Sequence, residues 1–166
     1  AGGSLLANHD VALTSGNSYT VASGVEALDS AVQRCGRDWP RTCVAIVGAA
    51  GAIGSCTSIL LARKCGRMIL VGNPAHGPDA ARERMRQTAR KFVRGVLALG
   101  RESFCDGSLA SRIADAADPG ALDEDATRTR LEVDARLVLT TGIGAIARAD
   151  VVVAATSFPG TLIDND

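Results

Sequence analysis

Thr42–Ala62 reads TCVAIVGAAGAIGSCTSILLA. It opens with an apolar run of small and β-branched residues. Three glycines follow at three-residue intervals, Gly48, Gly51 and Gly54, and an apolar pattern at helical spacing comes directly after them. A strand apolar on both faces suits a central, parallel position in a sheet. Glycines between such a strand and a helix are what a bound dinucleotide phosphate requires. Gly48 would permit the tight turn, Gly51 would let the backbone approach a pyrophosphate, and Gly54 would let the helix pack closely. The helix N-terminus would offer free N–H groups and a partial positive charge to the anion. The spacing is GxxGxxG rather than GxGxxG, and a ligand-free strand–helix turn is the competing explanation.

Working outward, Arg67–Val71 reads as a second buried strand, closing a βαβ unit of about 30 residues. Val21, Val25, Leu28 and Val32 recur at helical spacing and predict a helix over Tyr19–Cys35, stopped by Gly36. Before it, Ser15–Ser18 is turn and cap chemistry and Val11–Thr14 a short extended piece. Further helices are predicted over Ala52–Cys65, from an Asp79 N-cap to about Leu99, and over Ser108–Ala117. Asp115–Asp125 holds five acids and no base and reads as a surface loop. Leu137–Thr141 is a third strand, Ile143–Ala149 a short helical connection and Val151–Ala155 a fourth strand. About 60 residues separate the second and third strands, more than a plain crossover needs. An insertion is therefore expected at about 76–135.

The expectation is an α/β fold, a Rossmann-like parallel sheet of order 3-2-1-4. A lead-in and connecting interdomain helix would occupy residues 1–40, and an NAD(P)-binding domain residues 41–166. The chain begins Ala-Gly-Gly-Ser and stops just after a strand-like run, as expected for a fragment of a larger protein.

Composition narrows the function classes. Formal net charge is zero, so no global field favours nucleic acid or an anionic membrane. Aromatic residues are 3% of the chain, too few for the stacking platforms of single-strand binders. No apolar run is long enough for a membrane span. Lys64 and Lys91 are the only lysines among 18 basic residues, a bias expected of a GC-rich bacterial genome. Cys35, Cys43, Cys56, Cys65 and Cys105 show no metal-ligand spacing. They read as reduced thiols of a cytoplasmic protein, three of them in apolar segments.

Other residues extend the candidate site. The second strand ends Val71-Gly72-Asn73-Pro74, without the acid that would bind the NAD ribose. Asn73 tolerates a 2′-phosphate, so NADP is expected, with NAD as the alternative. Thr156 and Ser157 fall where a parallel strand delivers loop residues to the ligand crevice, or form a plain capping pair. Arg82, Arg86, Arg90 and Arg94 form one stripe at i, i+4 steps. That stripe is a solvated face opposite the acidic loop, or a docking surface for an acidic partner or for the 2′-phosphate. His9 and His76 read as surface residues. Tyr19 lacks a lysine four residues later, since Ser23 stands there.

Leu13-Thr-Ser-Gly-Asn-Ser-Tyr-Thr20, Val44–Ser55, Met68–Val71, Ala149–Ser157 and Leu162–Asp164 occur in the order of one known pattern. The chain thus resembles the nucleotide-binding domain of bacterial long-chain acyl-[acyl-carrier-protein] reductases. It is also similar to the cofactor domain of shikimate and quinate dehydrogenases. The resemblance implies that Gly48, Ala50, Gly51, Ala52 and Ile53 hold the pyrophosphate. It places Thr14, Gly16, Asn17 and Thr20 at an interdomain cleft near the nicotinamide or substrate. It implies a catalytic cysteine beyond Asp166, so no cysteine here inherits that role. An acidic carrier protein would meet the Arg82–Arg94 face. An arginine that often follows the second strand in these reductases is replaced by Gly72-Asn73-Pro74, and the Arg-rich insertion is a further departure.

Two functions follow as expectations. One is the NAD(P)-binding part of an oxidoreductase that reduces a carbonyl or an acyl thioester. The other is a non-catalytic nucleotide-sensing or scaffold module.

Overall fold

The computed structural model describes residues 16–74, 77–117 and 123–156. The readings placed on Val11–Thr14, His9, His76, Ser157 and Leu162–Asp164 lie outside the described residues. Strands β1 (Cys43–Val47), β2 (Arg67–Val71), β3 (Leu137–Thr140) and β4 (Val151–Ala154) form a sheet of order β3-β2-β1-β4. All pairs are parallel, with Ala45 beside both Ile69 and Val152. Fold class and strand order are those the sequence predicts.

Every residue of β1 is buried, because β1 has a strand on each side and apolar cover on each face. Among the described residues five α-helices accompany the sheet: α1 (Gly16–Arg34), α2 (Ala52–Ala62), α3 (Pro78–Leu97), α4 (Leu109–Ala116) and α5 (Glu124–Val133). Val44, Ile46, Met68, Leu70 and Leu137 of the sheet pack with Leu61 of α2, Phe92 and Val93 of α3, Ile113 of α4 and Leu131 of α5. Val25 and Leu28 of α1 close over the same cluster. The opposite face presents Cys43, Ala45, Val47, Ile69 and Val71, packed by Ala145 and Ile146. These two come from the short 3-10 segment Ile143–Arg148 that links β3 to β4. The long crossover thus spends its apolar residues on one face, and the short one covers the other. Strand order reverses at β1, the position at which such sheets leave a crevice beyond their carboxyl ends. No helix among the described residues is long and apolar enough to cross a membrane.

The insertion differs from the prediction. Asp115–Asp125 is not one loop: α4 runs to Ala116, and Glu124 and Asp125 are the first turn of α5. The Asp123 carboxylate caps α5, accepting from the N–H groups of Asp125 and Ala126 at 3.0 Å each. Acids gathered at a helix start are stabilised by its dipole, so the acidic cluster marks a helix N-terminus. Asp79 is likewise not an N-cap. Gly77, at φ +82°, precedes Pro78, and Asp79 lies in the first turn of α3; proline suits that opening position because its missing N–H would have no partner there. Helix α1 starts at Gly16, inside the segment read as a turn, and α2 stops at Ala62 rather than Cys65.

The amino edge of the sheet is clamped by Asp150. Its carboxylate accepts the Cys43 N–H at 2.8 Å and pairs with Arg37, just beyond α1. The hydrogen bond from Cys43, then the charge of Arg37, holds its carboxyl below the usual aspartate range. Asp150→Ala is expected to lower unfolding free energy by roughly 1 kcal/mol, since the bond is charge-assisted but partly exposed. A depressed carboxyl stabilises fully above its unfolded value, about pH 4, and loses that contribution as pH falls through its lower folded value. Urea titrations of both proteins should therefore differ at pH 7 and converge at the acid end.

Candidate functional site

The turn after β1 is shaped by contacts that exclude side chains. Gly48 has φ +81°, and a Cβ there would stand 2.5 Å from the Ala155 carbonyl oxygen beyond β4. A Cβ on Gly54 would stand 2.3 Å from the Gly48 carbonyl oxygen. Both glycines are thus required by the protein's own packing. Gly51 is different. It is exposed, and a Cβ there would meet nothing nearer than the Gly48 carbonyl oxygen at 3.3 Å. That contact is tight but the backbone there is not left-handed (φ −76°), so alanine fits if the Gly48 carbonyl gives by a few tenths of an ångström, and packing constrains Gly51 least of the three.

Backbone hydrogen bonds hold the turn in place. The Gly48 and Ala49 N–H groups both donate to the Val71 carbonyl, at 3.0 and 3.3 Å, and the Gly51 N–H donates to Gly48 at 2.9 Å. Gly51 is the N-cap of α2 and has no side chain to accept from the first turn. The N–H groups of Ala52, Ile53 and Gly54 precede the first intrahelical donor, the Ser55 N–H, which donates to the Gly51 carbonyl at 2.9 Å. The first turn of α2 carries no acid, so its positive end is not neutralised from within the helix.

Beside this turn lies a crevice of about 270 Å³. The turn contributes Gly48, Ala50 and Gly51, the end of β2 contributes Gly72 and Asn73, and the end of β4 contributes Ala155 and Thr156. Helix α3 closes it with Ala81, Arg84 and Met85. Among the described residues no carboxylate lines it, and the one formal charge in the lining is the Arg84 guanidinium. Five sequence-predicted residues, Gly48, Ala50, Gly51, Asn73 and Thr156, are therefore brought together. Ala52 and Ile53 form the adjoining first turn of α2.

Others are not brought there. Gly16, Asn17 and Thr20 are exposed on the first turn of α1, where the Thr20 hydroxyl donates to the Gly16 carbonyl at 3.0 Å, and none lines the crevice. Thr14 and Ser157 lie outside the described residues. Cys43 and Cys65 are buried, and burial pushes both thiols up, Cys65 strongly, so neither is a ready nucleophile. Cys56, read as an apolar packing residue, is exposed on α2, as are Cys35 and Cys105 elsewhere.

No family model, curated protein or solved structure matches the chain. The site is accordingly argued from its own geometry.

Arg84 is the residue that sequence reasoning missed. It lies off the Arg82–Arg94 stripe, and only the docking of α3 brings it to the glycine turn. The stripe itself divides. Arg90 pairs with Asp125 and Arg94 with Glu124, tying α3 to α5. Arg82 and Arg86 line a separate cavity of about 420 Å³ with Arg128, Thr140 and Thr141, beyond the end of β3.

Alanine at the first two motif glycines separates packing from ligand access. Gly48→Ala should lose about 2 kcal/mol or more of stability through the positive φ and the clash with Ala155. Gly51→Ala should stay within about 1 kcal/mol of the parent protein. Thermal and urea unfolding measure both; equal losses would mean that Gly51 is structural after all.

Proposed function

We propose that this chain binds a nicotinamide dinucleotide across the carboxyl end of its sheet, the diphosphate resting on the Gly48–Ile53 backbone. The observation that carries this is Gly51: an exposed glycine, the least constrained by packing of the three, at a helix N-terminus without a side-chain cap, beside a crevice lined by no acid among the described residues. Backbone N–H groups and the helix dipole suit a diphosphate there. Asn73 at the end of β2 supplies no carboxylate against a 2′-phosphate, which favours NADP, with NAD as the alternative.

In this proposal the chain is the cofactor-binding part of an oxidoreductase that reduces a carbonyl or an acyl thioester. The groups that activate the substrate would come from outside the described residues. The sequence resemblance to acyl-[acyl-carrier-protein] reductases and to shikimate dehydrogenases is what suggests those substrates. Arg90 and Arg94 are committed to α5, which leaves an acidic carrier protein the Arg82–Arg86 end of the stripe. A second reading, a nucleotide-sensing or scaffold module, is favoured by one observation: among the described residues the crevice lining holds no acid–base pair and no thiol.

Calorimetric titration with NADPH and NADH tests the proposal. Saturable binding by the parent chain is expected, weakened about tenfold in Gly51→Ala as the added methyl holds the diphosphate off the amides. A flat titration with both nucleotides at millimolar concentration would refute it. Binding without turnover of acyl thioesters or shikimate by the complete gene product would favour the sensor.

A further inference from the structure

Helix α3 sorts its basic residues. Arg82 pairs with Asp79, Arg86 with Glu83, Arg90 with Asp125 and Arg94 with Glu124. Arg84 and Lys91 have no ion-pair partner among the described residues. They stand seven apart, two helical turns along one face. That face looks across a cavity of about 130 Å³ at Ala49 and Ala50 of the glycine turn and Ser55 of α2. Gln87 and Thr88 complete the α3 wall. Gln87 donates to Glu83 at 3.3 Å, and the Thr88 hydroxyl donates to the Arg84 backbone carbonyl at 2.8 Å. Among the described residues the lining holds two cations and no carboxylate, and it adjoins the positive end of α2. Like charges in one cavity raise its energy until an anion enters. Arg84 and Ala50 also line the crevice assigned to the nucleotide, so the two spaces meet at those residues.

We propose that this side cavity is a phosphate-monoester site that reads the 2′-phosphate of NADP, with Arg84 and Lys91 as its specificity-determining residues. This rests on the dinucleotide proposal above and adds to it the groups that would select the phosphorylated cofactor. The missing acid at the end of β2 only removes a repulsion; Arg84 and Lys91 supply an attraction. Arg84, where the spaces meet, offers a planar fork to two phosphate oxygens, and Lys91 adds a point charge farther along α3. Ser55 and Gln87 supply neutral polar walls.

The test compares the parent chain with Arg84→Ala/Lys91→Ala. Both side chains are exposed, and the bond from Thr88 uses the Arg84 backbone, so the melting temperature should hold. The parent should bind NADPH at least about tenfold more tightly than NADH; the double variant should lose that margin, and Lys91→Ala, whose side chain lines the side cavity and not the crevice, should narrow it with NADH affinity unchanged. On the unaltered chain, added salt should narrow the preference, as screening weakens charge–charge attraction. Adenosine 2′,5′-bisphosphate should bind more tightly than either 5′-AMP or inorganic phosphate. Equal parent affinity for NADPH and NADH would overturn this inference and leave the dinucleotide proposal standing, as would parallel loss of both nucleotides in Lys91→Ala. Inorganic phosphate binding as tightly as the bisphosphate would replace it with a free-anion site. If the parent binds neither nucleotide, both proposals fall.

Discussion

Three chain segments meet within van der Waals distance at Gly48. The backbone beyond β4 approaches from one side, so that a Cβ on Gly48 would lie 2.5 Å from Ala155 O. The start of α2 approaches from the other, with Gly54 against the Gly48 carbonyl. The end of β2 joins through Val71, whose carbonyl takes two N–H groups from the turn. A side chain at either glycine would push β4 or α2 away. The crevice, its amide-lined wall and the aim of the α2 dipole all depend on that approach. The buried β1 strand makes the approach rigid, because its paired neighbours hold it on both sides.

Electrostatics then divide the surface into structural and spare charge. Acids in the first turn of α5 neutralise Arg90 and Arg94 and bring that helix against α3. Asp150 joins β4 to β1 at the far edge and neutralises Arg37. Beside the glycine turn, at the end of the sheet where strand order reverses, Arg84, Lys91 and the N-terminus of α2 share one sign. Paired exposed arginines contribute little to stability, whereas unpaired ones beside a concave, acid-free wall favour an anion.

Much of this was legible along the chain because the signals were local. The Thr42–Val47 run, the three glycines and the following helical pattern are contiguous, and each reports its own backbone conformation. The β3-β2-β1-β4 order is that of the Rossmann-like fold which the strand, glycine turn, helix and second strand suggested. The insertion was harder. Its acids were counted as loop-forming, although Asp123 with Glu124 and Asp125 carries the cap and first-turn chemistry of a helix start. The ends of α1 and α2 shifted by a few residues because capping preferences are weak beside packing.

Sequence by itself determined the fold class, the parallel sheet and the positions where backbone must pass close to backbone. Those properties depend on residue type at fixed short spacing. Tertiary structure alone decided which of the three glycines packing constrains least and which arginines are already spoken for. It alone brought Arg84 and Lys91 to the turn after β1. The physical reason is that a charge acquires its role from its neighbours, and here those neighbours lie across a groove between helices, on another element of the chain.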